Sequence, residues 1–388
     1  MLIENKTIVI VGGGPGGLTL ARLLQNKGAI VHVYERDINK HVRVQGATLD
    51  LHKESGLAAL EKAGLMDAFK ANYRPGAEMM RVVDNQATIF YDEHSDKKEE
   101  TFGGKYFRPE IDRGPLRNLL LQSLKPGTLT WDSHFVSMEE QSDGWLLHFK
   151  NGKSFYADIV IAADGANSKI RPYITDIQPF YSGVTAIEGN IHNSAVVTPV
   201  IHQLLKGGKI FAYGNGQVLI VSSKGEGDLT FYASFRADEK WATSNHIDYS
   251  DKSQVAAWFK KNFSKWSNSW DEFFENSIVP FTPRPIYCMP LDQRWETKSN
   301  LTMLGDAAHL MPPFAGEGVN MAMLDALELS ESLTSEKFTT IEDSISSYEI
   351  QMCKRAAEAA KGSLANTEWM HSENALATML EMFNQHYI

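Results

Sequence analysis

The sequence predicts an α/β fold with a βαβ-based domain that begins at the N-terminus, an antiparallel β-sheet domain and C-terminal helices. A glycine-rich turn stands between a strand pattern and a helix pattern near the start of the chain. Segments that alternate apolar and polar residues fill the middle, and two amphipathic stretches close it. The 388 residues are too many for one simple core, which favours two interlocked domains.

Composition limits the classes of protein that this chain can represent. The net charge of −10 argues against a nucleic-acid surface, which needs clustered Lys and Arg. No apolar run is long enough for a membrane span, and the N-terminus lacks the features of a signal peptide. Cys288 and Cys353 match no metal or redox spacing. We therefore expect inert thiols, no metal and a reduced, cytoplasmic protein without membrane or nucleic-acid partners.

The first element is a βαβ unit, "TIVIVGGGPGGLTLARLLQNKGAIVHVYERD". We predict a strand at Thr7–Val11, a helix at Leu18–Lys27 and a second strand at Ile30–Tyr34. This order of elements is that of a Rossmann-like domain.

The turn of this unit reads G-x-G-x-x-G. Gly12 permits the tight turn, Gly14 lets a pyrophosphate approach the backbone, and Gly17 lets helix and strand pack closely. The helix N-terminus then faces the phosphates with its partial positive charge. Glu35, at the end of the second strand, can accept hydrogen bonds from a ribose. The pattern predicts dinucleotide binding but does not distinguish FAD from NAD.

Three separated motifs give the chain a family resemblance. They are "VGGGPGG", "DIVIAADGANSKIR" at 158–171 and "GDAAHLMPPFAGEGVN" at 305–320, supported by "YERD" and "GATLDLHKESG". Over essentially its whole length the chain resembles the group A flavoprotein monooxygenases of the para-hydroxybenzoate hydroxylase fold. Within them it most resembles the Tet(X)-like tetracycline-inactivating monooxygenases.

The resemblance implies bound FAD, with NADPH or NADH as a transient reductant at Arg43. The implied FAD-binding residues are Gly12, Gly14, Pro15, Gly17, Glu35, Arg36, Asp50, Arg113, Arg117, Asp164, Asp306, Pro313, Gly316, Gly318, Val319 and Asn320. Asp306 would bind the ribityl chain, and 316–320 would present a helix N-terminus to the pyrimidine end of the flavin. A helix dipole there would stabilise the negative charge of the reduced flavin.

Some of these residues also have ordinary structural interpretations. Arg113 and Arg117 stand four apart at a predicted helix, which suits either a diphosphate or a solvated face. Asp164 and the following glycine also form a simple turn at the end of a strand. His309, inside the third motif, is interpreted as structural.

The expected domains are discontinuous in sequence. The FAD-binding domain comprises 1–75, 102–172 and 295–330, and the substrate domain comprises 76–101 and 173–294. In the substrate domain we expect a hairpin, antiparallel strands and an amphipathic helix at "SQVAAWFKKNFSKW". The C-terminal helices occupy 331–388.

The resemblance implies NAD(P)H-dependent hydroxylation by O2 through a flavin C4a-hydroperoxide. No side chain is assigned a catalytic role, because the cofactor supplies the chemistry. The expected partner is a small aromatic or polyketide molecule, tetracyclines included, and a monomer is expected. The expected substrate residues are Glu188, Lys209, Phe211, Thr230, Tyr232, Pro313, Phe314 and Gly316.

The substrate residues depart from the Tet(X) pattern, which leaves the substrate open. Glu188, Lys209 and Thr230 stand where those enzymes use Gln, Arg and His, and Tyr232 replaces a Gly. Such changes alter charge, donor geometry and pocket volume. A phenol-type hydroxylase and a flavin-binding redox protein without oxygenase activity remain alternatives. A halogenase is disfavoured because its W-x-W-x-I-P signature is absent, and a plain NAD dehydrogenase leaves the third motif unexplained.

Overall fold

The structure is a computed structural model that describes residues 2–40, 42, 46–95, 102, 104 and 107–386. The strands in chain order are β1 (Thr7–Val11), β2 (Ile30–Tyr34), β3 (Leu49–Asp50), β4 (Met80–Asp84), β5 (Ile89–Asp92), β6 (Glu110–Ile111), β7 (Leu129–Thr130), β8 (Phe135–Gln141), β9 (Gly144–Phe149), β10 (Ser154–Ala157), β11 (Ile159–Ala162), β12 (Phe180–Ile191), β13 (Lys209–Gly214), β14 (Gln217–Ser223), β15 (Leu229–Arg236), β16 (Ile278–Cys288) and β17 (Leu301–Met303).

The α-helices in chain order are α1 (Pro15–Asn26), α2 (Ala58–Ala63), α3 (Met66–Lys70), α4 (Arg113–Ser123), α5 (Ser194–Val197), α6 (Pro199–Leu205), α7 (Trp241–Ser244), α8 (Lys252–Asn262), α9 (Asp271–Asn276), α10 (Asp306–His309), α11 (Gly318–Leu333), α12 (Ile341–Met370) and α13 (Ala375–His386). In the described part of the chain, none of the helices combines the length and apolarity that a bilayer crossing requires.

The first sheet is parallel and has the strand order β17-β11-β1-β2-β7. Its central strands read as continuous apolar runs, "IVIV" and "IVIA", because helices or other strands cover both faces. Both predicted strands of the βαβ unit have the expected bounds. The predicted helix start at Leu18 is wrong: α1 begins at Pro15 and ends at Asn26, because proline suits the first helical position.

The second sheet has seven strands in the order β16-β12-β15-β14-β13-β4-β5. The hairpin β4–β5 comes from the 76–101 excursion and joins this sheet, where β4 pairs with β13 in parallel. One face, with Phe231 and Ala233 of β15, packs on the aromatic side chains of α8 and α9. The opposite face of the sheet turns towards the C-terminal helices and the short pair β3–β6. The α/β fold class is thereby confirmed.

The helices at the C-terminal end differ from the expected domain limits in one respect. Two helices, α12 and α13, follow one another as expected. The expected limit at residue 330 falls inside α11, which continues to Leu333 because Leu329 and Leu333 remain buried in the main core. The predicted helix in "SQVAAWFKKNFSKW" ends at Asn262, and Phe263 and Trp266 continue into the aromatic core as a loop.

Candidate functional site

The glycine-rich turn between β1 and α1 is an open backbone cradle. Gly12 has φ +117°, and a Cβ there would lie 2.1 Å from the carbonyl oxygen of Ala163. A Cβ on Gly17 would lie 2.2 Å from the carbonyl oxygen of Gly12, so both positions require glycine for packing. A Cβ on Gly14 would meet no described atom within 4 Å. Gly14 therefore faces free space, where a ligand can approach the main chain.

The N-terminus of α1 is suited to an anion. Its N-cap is Gly14, whose lack of a side chain leaves the first N–H groups without a side-chain acceptor, and Pro15 follows. The first turn, which is fully described, holds no acidic side chain. The exposed N–H groups and the helix dipole both favour a phosphate.

Glu35 is buried behind this turn and organises it. Its Oε2 accepts a hydrogen bond from Gly13 N at 2.7 Å, and its Oε1 accepts one from Asp37 N at 3.0 Å. Arg117 of α4 reaches both acids, with its Nη2 3.5 Å from Glu35 Oε2 and 3.2 Å from Asp37 Oδ2. Its Nε donates to Gly13 O at 3.2 Å. Arg117 is thus built into the turn and does not lie on a solvated face.

The other arginines that are predicted to contact a cofactor differ from Arg117 in their surroundings. Arg113 begins α4, and its Nε donates to Ala47 O at 3.2 Å. Arg36 is exposed beside the buried Glu35. Arg43, the expected NAD(P)H contact, lies outside the described residues.

A buried arginine that the sequence reasoning missed joins the second motif to the third. Arg171 is 4 % exposed, and its Nε donates to Ala307 O at 2.7 Å while its Nη2 donates to Asp306 O at 3.0 Å. Asp164 accepts from Lys169 N at 2.8 Å, and burial raises the pKa of Asp164 despite its hydrogen bonds. The arginine that ends "ADGANSKIR" was the sequence signal for this buried contact. A cation next to apolar residues needs buried acceptors.

The third motif begins at a backbone turn and rests on a buried ionic cluster. Asp306 opens α10 and is exposed, yet the protein around it still desolvates the carboxylate, which raises the pKa of Asp306. Behind it, His309 Nε2 lies 2.6 Å from Asp325 Oδ2, and Arg355 Nη2 lies 2.6 Å from Asp325 Oδ1. Burial opposes the ionisation of Asp325, but His309 and Arg355 hold the pKa of this carboxyl below its usual value. The structural interpretation of His309 agrees with this contact.

The start of α11 is tied to the strand that carries Asp50. Asn320 donates through Nδ2 to Asp50 O at 2.9 Å, and its Oδ1 accepts from His52 N at 2.8 Å. A Cβ on Gly316, which has φ +69°, would lie 3.2 Å from Asp50 Oδ1. The carboxylate of Asp50 therefore neighbours the left-handed turn at Gly316, just before α11 begins at Gly318.

Four residues of the seven-stranded sheet form one cross-strand row on the face opposite the α8 and α9 helices. The members of the row are Glu188, Tyr232, Ile220 and Phe211. Sequence reasoning named three of them and missed Ile220, which the alternation of β14 places on this face. Tyr232 accepts a hydrogen bond from Ala47 N at 3.2 Å, so the row reaches the first domain.

Two further predicted substrate residues, Lys209 and Thr230, lie in a neighbouring row. Thr230 is fully buried, and its hydroxyl bonds Asn190 Oδ1 and approaches Gly189 O at 3.2 Å. Lys209 forms an ion pair with Glu110 of β6. Both side chains therefore already have a partner inside the protein.

Glu188 has a partner that the sequence did not reveal. It is 3 % exposed, and Arg284 of β16 approaches its Oε2 with Nε and Nη2, each at 2.9 Å. Arg284 itself remains 45 % exposed. The charge introduced by Glu in place of Gln is therefore balanced inside the protein.

Phe314 is held by the end of α12. Its carbonyl accepts from Asn366 Nδ2 at 3.0 Å, and its ring meets the edge of His371 with 5.1 Å between centroids. His371 Nδ1 donates to Thr367 O at 2.8 Å, so Nε2 is the acceptor for the hydroxyl of Ser234 at 2.9 Å. Desolvation lowers the pKa of His371 to about 4. The imidazole is thus neutral and links Phe314 to Ser234 of β15.

Taken together, these residues fit a flavin dinucleotide. An open glycine cradle meets an uncapped helix, the exposed Asp306 opens α10, and Asp164 Oδ1 and Arg117 Nη1 are buried without a hydrogen-bond partner among the described residues. Searched for clusters of three or more His, Cys, Asp or Glu, the described part of the chain holds none that could bind a metal.

Comparisons with known proteins agree with this fit. The family model described as FAD binding domain matches residues 5–363. The chain is 28 % identical to a monooxygenase, asqM, of Emericella nidulans, over 87 % of this chain and 86 % of that protein. It is 24 % identical to 6-hydroxynicotinate 3-monooxygenase of Pseudomonas fluorescens, over 95 % of this chain and 93 % of the relative.

A solved structure shares the fold. Tetracycline destructase Tet(51) superposes with a TM-score of 0.73 at 18 % identity, covering 98 % of this chain and 95 % of that chain. At this level of identity the likeness concerns the fold alone.

Proposed function

The chain belongs to the FAD binding domain family and is an FAD-dependent monooxygenase, and from this premise we propose that it hydroxylates a small, electron-rich aromatic or polyketide substrate with NAD(P)H and O2. The flavin supplies the redox and oxygen chemistry when bound. The residues of the chain bind it, orient the substrate and exclude water.

The cofactor is assigned to the cradle described above. Gly14 and the N-terminus of α1 receive the diphosphate, Glu35 receives the ribose, and Asp306 receives the ribityl chain. Arg117 holds the turn in place through Glu35 and Asp37. The start of α11 directs its N–H groups at the pyrimidine end, where they favour negative charge.

The proposal for the substrate rests on the row of four side chains across the seven-stranded sheet. Phe211 and Ile220 offer apolar area, while Tyr232, next to the neutralised Glu188, offers a polar contact at the other end of the row. Phe314 belongs to the same apolar cluster as Phe211, which suits a flat ring with one polar edge. This arrangement favours a small aromatic ring over an extended apolar chain.

The proposal is tested with the FAD-loaded protein, NADPH or NADH, and ¹⁸O₂. Phenols, hydroxypyridines and polyphenolic polyketides are each supplied, and the product mass is followed. A product that gains one ¹⁸O atom and depends on protein and reductant supports hydroxylation. Phe211→Ala is expected to raise KM at least about tenfold, since an aromatic wall is removed. Phe90→Ala, on the exposed edge strand β5, is the matched control.

Reductant consumption without oxygen transfer to any tested compound would contradict the proposal. It would favour the alternative of a flavin-binding redox protein.

Tetracycline is a second candidate substrate, favoured by the resemblance of "GATLDLHKESG" to the Tet(X)-like enzymes. Incubation with chlortetracycline and NADPH should then add one oxygen to the drug. An unchanged drug, with oxygen transferred to a phenol under the same conditions, would exclude it. The exchange of Glu188 for the Gln of the Tet(X) pattern is the informative variant, since it removes the charge that Arg284 balances.

We also propose the division of labour between the expected domains. Residues 1–75, 102–172 and 295–330 would hold FAD, and 76–101 with 173–294 would hold the substrate. The pairing of the β4–β5 hairpin with β13 supports the assignment of 76–101 to the second group.

A further inference from the structure

Two carboxylates face each other in the short sheet under the third motif. Asp50 of β3 pairs directly with Glu110 of β6, and Glu110 is fully buried. Like charges at opposed positions destabilise an antiparallel pair. A buried pair of this kind needs a cation or a proton.

Lys209 supplies the cation from a different sheet. It begins β13 and forms an ion pair with Glu110, and its side chain is only 18 % exposed. Desolvation opposes its charge, but Glu110 and Asp50 together raise the pKa of Lys209. Lys209 thus balances the charge of two acids, Glu110 and Asp50, that belong to the short sheet of β3 and β6.

The two acids do not share the charge equally. Burial raises the pKa of Glu110 despite the ion pair with Lys209. Desolvation also opposes ionisation of Asp50, but His52 and Lys209 hold the pKa of Asp50 below its usual value. Asp50 is therefore the standing negative charge of the cluster.

Asp50 lies at the end of the cradle assigned to the flavin ring. Its carboxylate adjoins Gly316, and His52 lies 3.1 Å from Asp50 Oδ2 and 3.7 Å from Glu317 Oε2. Asn320 links the same strand to the start of α11. A change of charge at Asp50 or Lys209 therefore changes the electrostatic potential at the turn that precedes α11.

From this geometry we infer that Lys209 is a charge-balancing positioning residue for the bound flavin, and not a substrate contact. This inference rests on the proposed placement of the flavin ring beside Gly316. Reduction places negative charge on the flavin, so a nearby cation favours the reduced form and a nearby carboxylate opposes it. Lys209 and Asp50 therefore act on the reduction potential in opposite directions.

The test is the two-electron midpoint potential of FAD in the loaded protein, without substrate, by dye equilibration. Lys209→Met is expected to shift the equilibrium at least about tenfold towards oxidised flavin, which is a decrease of about 30 mV. Asp50→Asn is expected to raise the potential by a similar amount. Lys209→Arg keeps the charge, so its potential should stay close to that of the unchanged protein. Lys206→Met, at an exposed position, is the control.

Opposite shifts for Lys209→Met and Asp50→Asn support the inference, because a merely structural loss moves both variants the same way. Shifts of the same sign, or no shift in Lys209→Met, would overturn it. If Lys209→Met does not fold, Asp50→Asn decides alone, since an unchanged or lowered potential also overturns the inference. A wrong substrate assignment leaves these potentials unaffected, because no substrate is present.

Discussion

Arg284 binds the buried carboxylate of Glu188 through two nitrogens, Nε and Nη2, each 2.9 Å from the same oxygen. The two residues lie on strands β16 and β12, and the pair stands next to Tyr232 on the face of the sheet opposite α8 and α9. The negative charge of Glu188 is thereby neutralised within the protein.

Removal of Arg284 alone should therefore destabilise the fold. Arg284→Met leaves Glu188 buried without its cation, which should lower the free energy of unfolding by about 1–3 kcal/mol, less than for a fully buried pair because Arg284 is half-exposed. Adding Glu188→Gln should recover most of that loss. Urea denaturation of the single and double variants measures the coupling, and strictly additive effects would disprove it.

Two glycines of the same motif should respond differently to alanine. Gly12→Ala places a Cβ 2.1 Å from Ala163 O at a positive φ, so it should cost several kcal/mol of stability even without FAD. Gly14→Ala meets no described atom within 4 Å and should leave the stability of the apoprotein within about 0.5 kcal/mol. It should nevertheless weaken FAD binding at least about tenfold.

Thermal unfolding of the apoproteins and quenching of FAD fluorescence separate these effects. Unchanged FAD affinity in Gly14→Ala would remove the diphosphate from this turn.

His371 should make stability depend on pH. Its pKa is lowered from 6.5 to about 4 in the folded protein, so the unfolded chain binds more protons between these values. The stabilising contribution is present above pH 6.5 and is lost as the pH falls towards 4, by up to about 3 kcal/mol. Urea unfolding of the protein and of His371→Gln between pH 4 and 7 gives the difference. Parallel curves for the two proteins would contradict this assignment.

Asp325 should be far more important for stability than its neighbour Glu328. Asp325→Asn leaves His309 and Arg355 without their central anion, and we expect a loss of about 3 kcal/mol. Glu328→Gln breaks only the contact of a partly exposed acid with Arg355, so a loss below about 1 kcal/mol is expected. Chemical denaturation of both variants tests the ranking, and equal losses would refute it.

Much of the fold follows from local sequence patterns. The strands β1 and β2 have the predicted bounds because a continuous apolar run next to glycines leaves few other conformations. The start of α1 was misplaced by three residues, because Pro15 reads as part of the turn although it suits the first helical position. Phe211 and Tyr232 were named from the family resemblance, and their common face follows from the register of β13 and β15 with β14.

The contacts between distant segments could not be read in the same way. Arg171, Asp37 and Arg284 each owe their role to a partner in another element. Nothing in the local sequence specifies the distance or the orientation of such partners.

The sequence by itself determined the α/β class, the glycine cradle and the family, because these depend on backbone conformation and short-range spacing. Only the tertiary structure decided how the charges are paired. Lys209 faces Glu110 and Glu188 faces Arg284 because strands far apart in sequence meet in one sheet or across two. A buried charge must find a counter-charge wherever packing brings one, and that choice depends on the register of whole sheets.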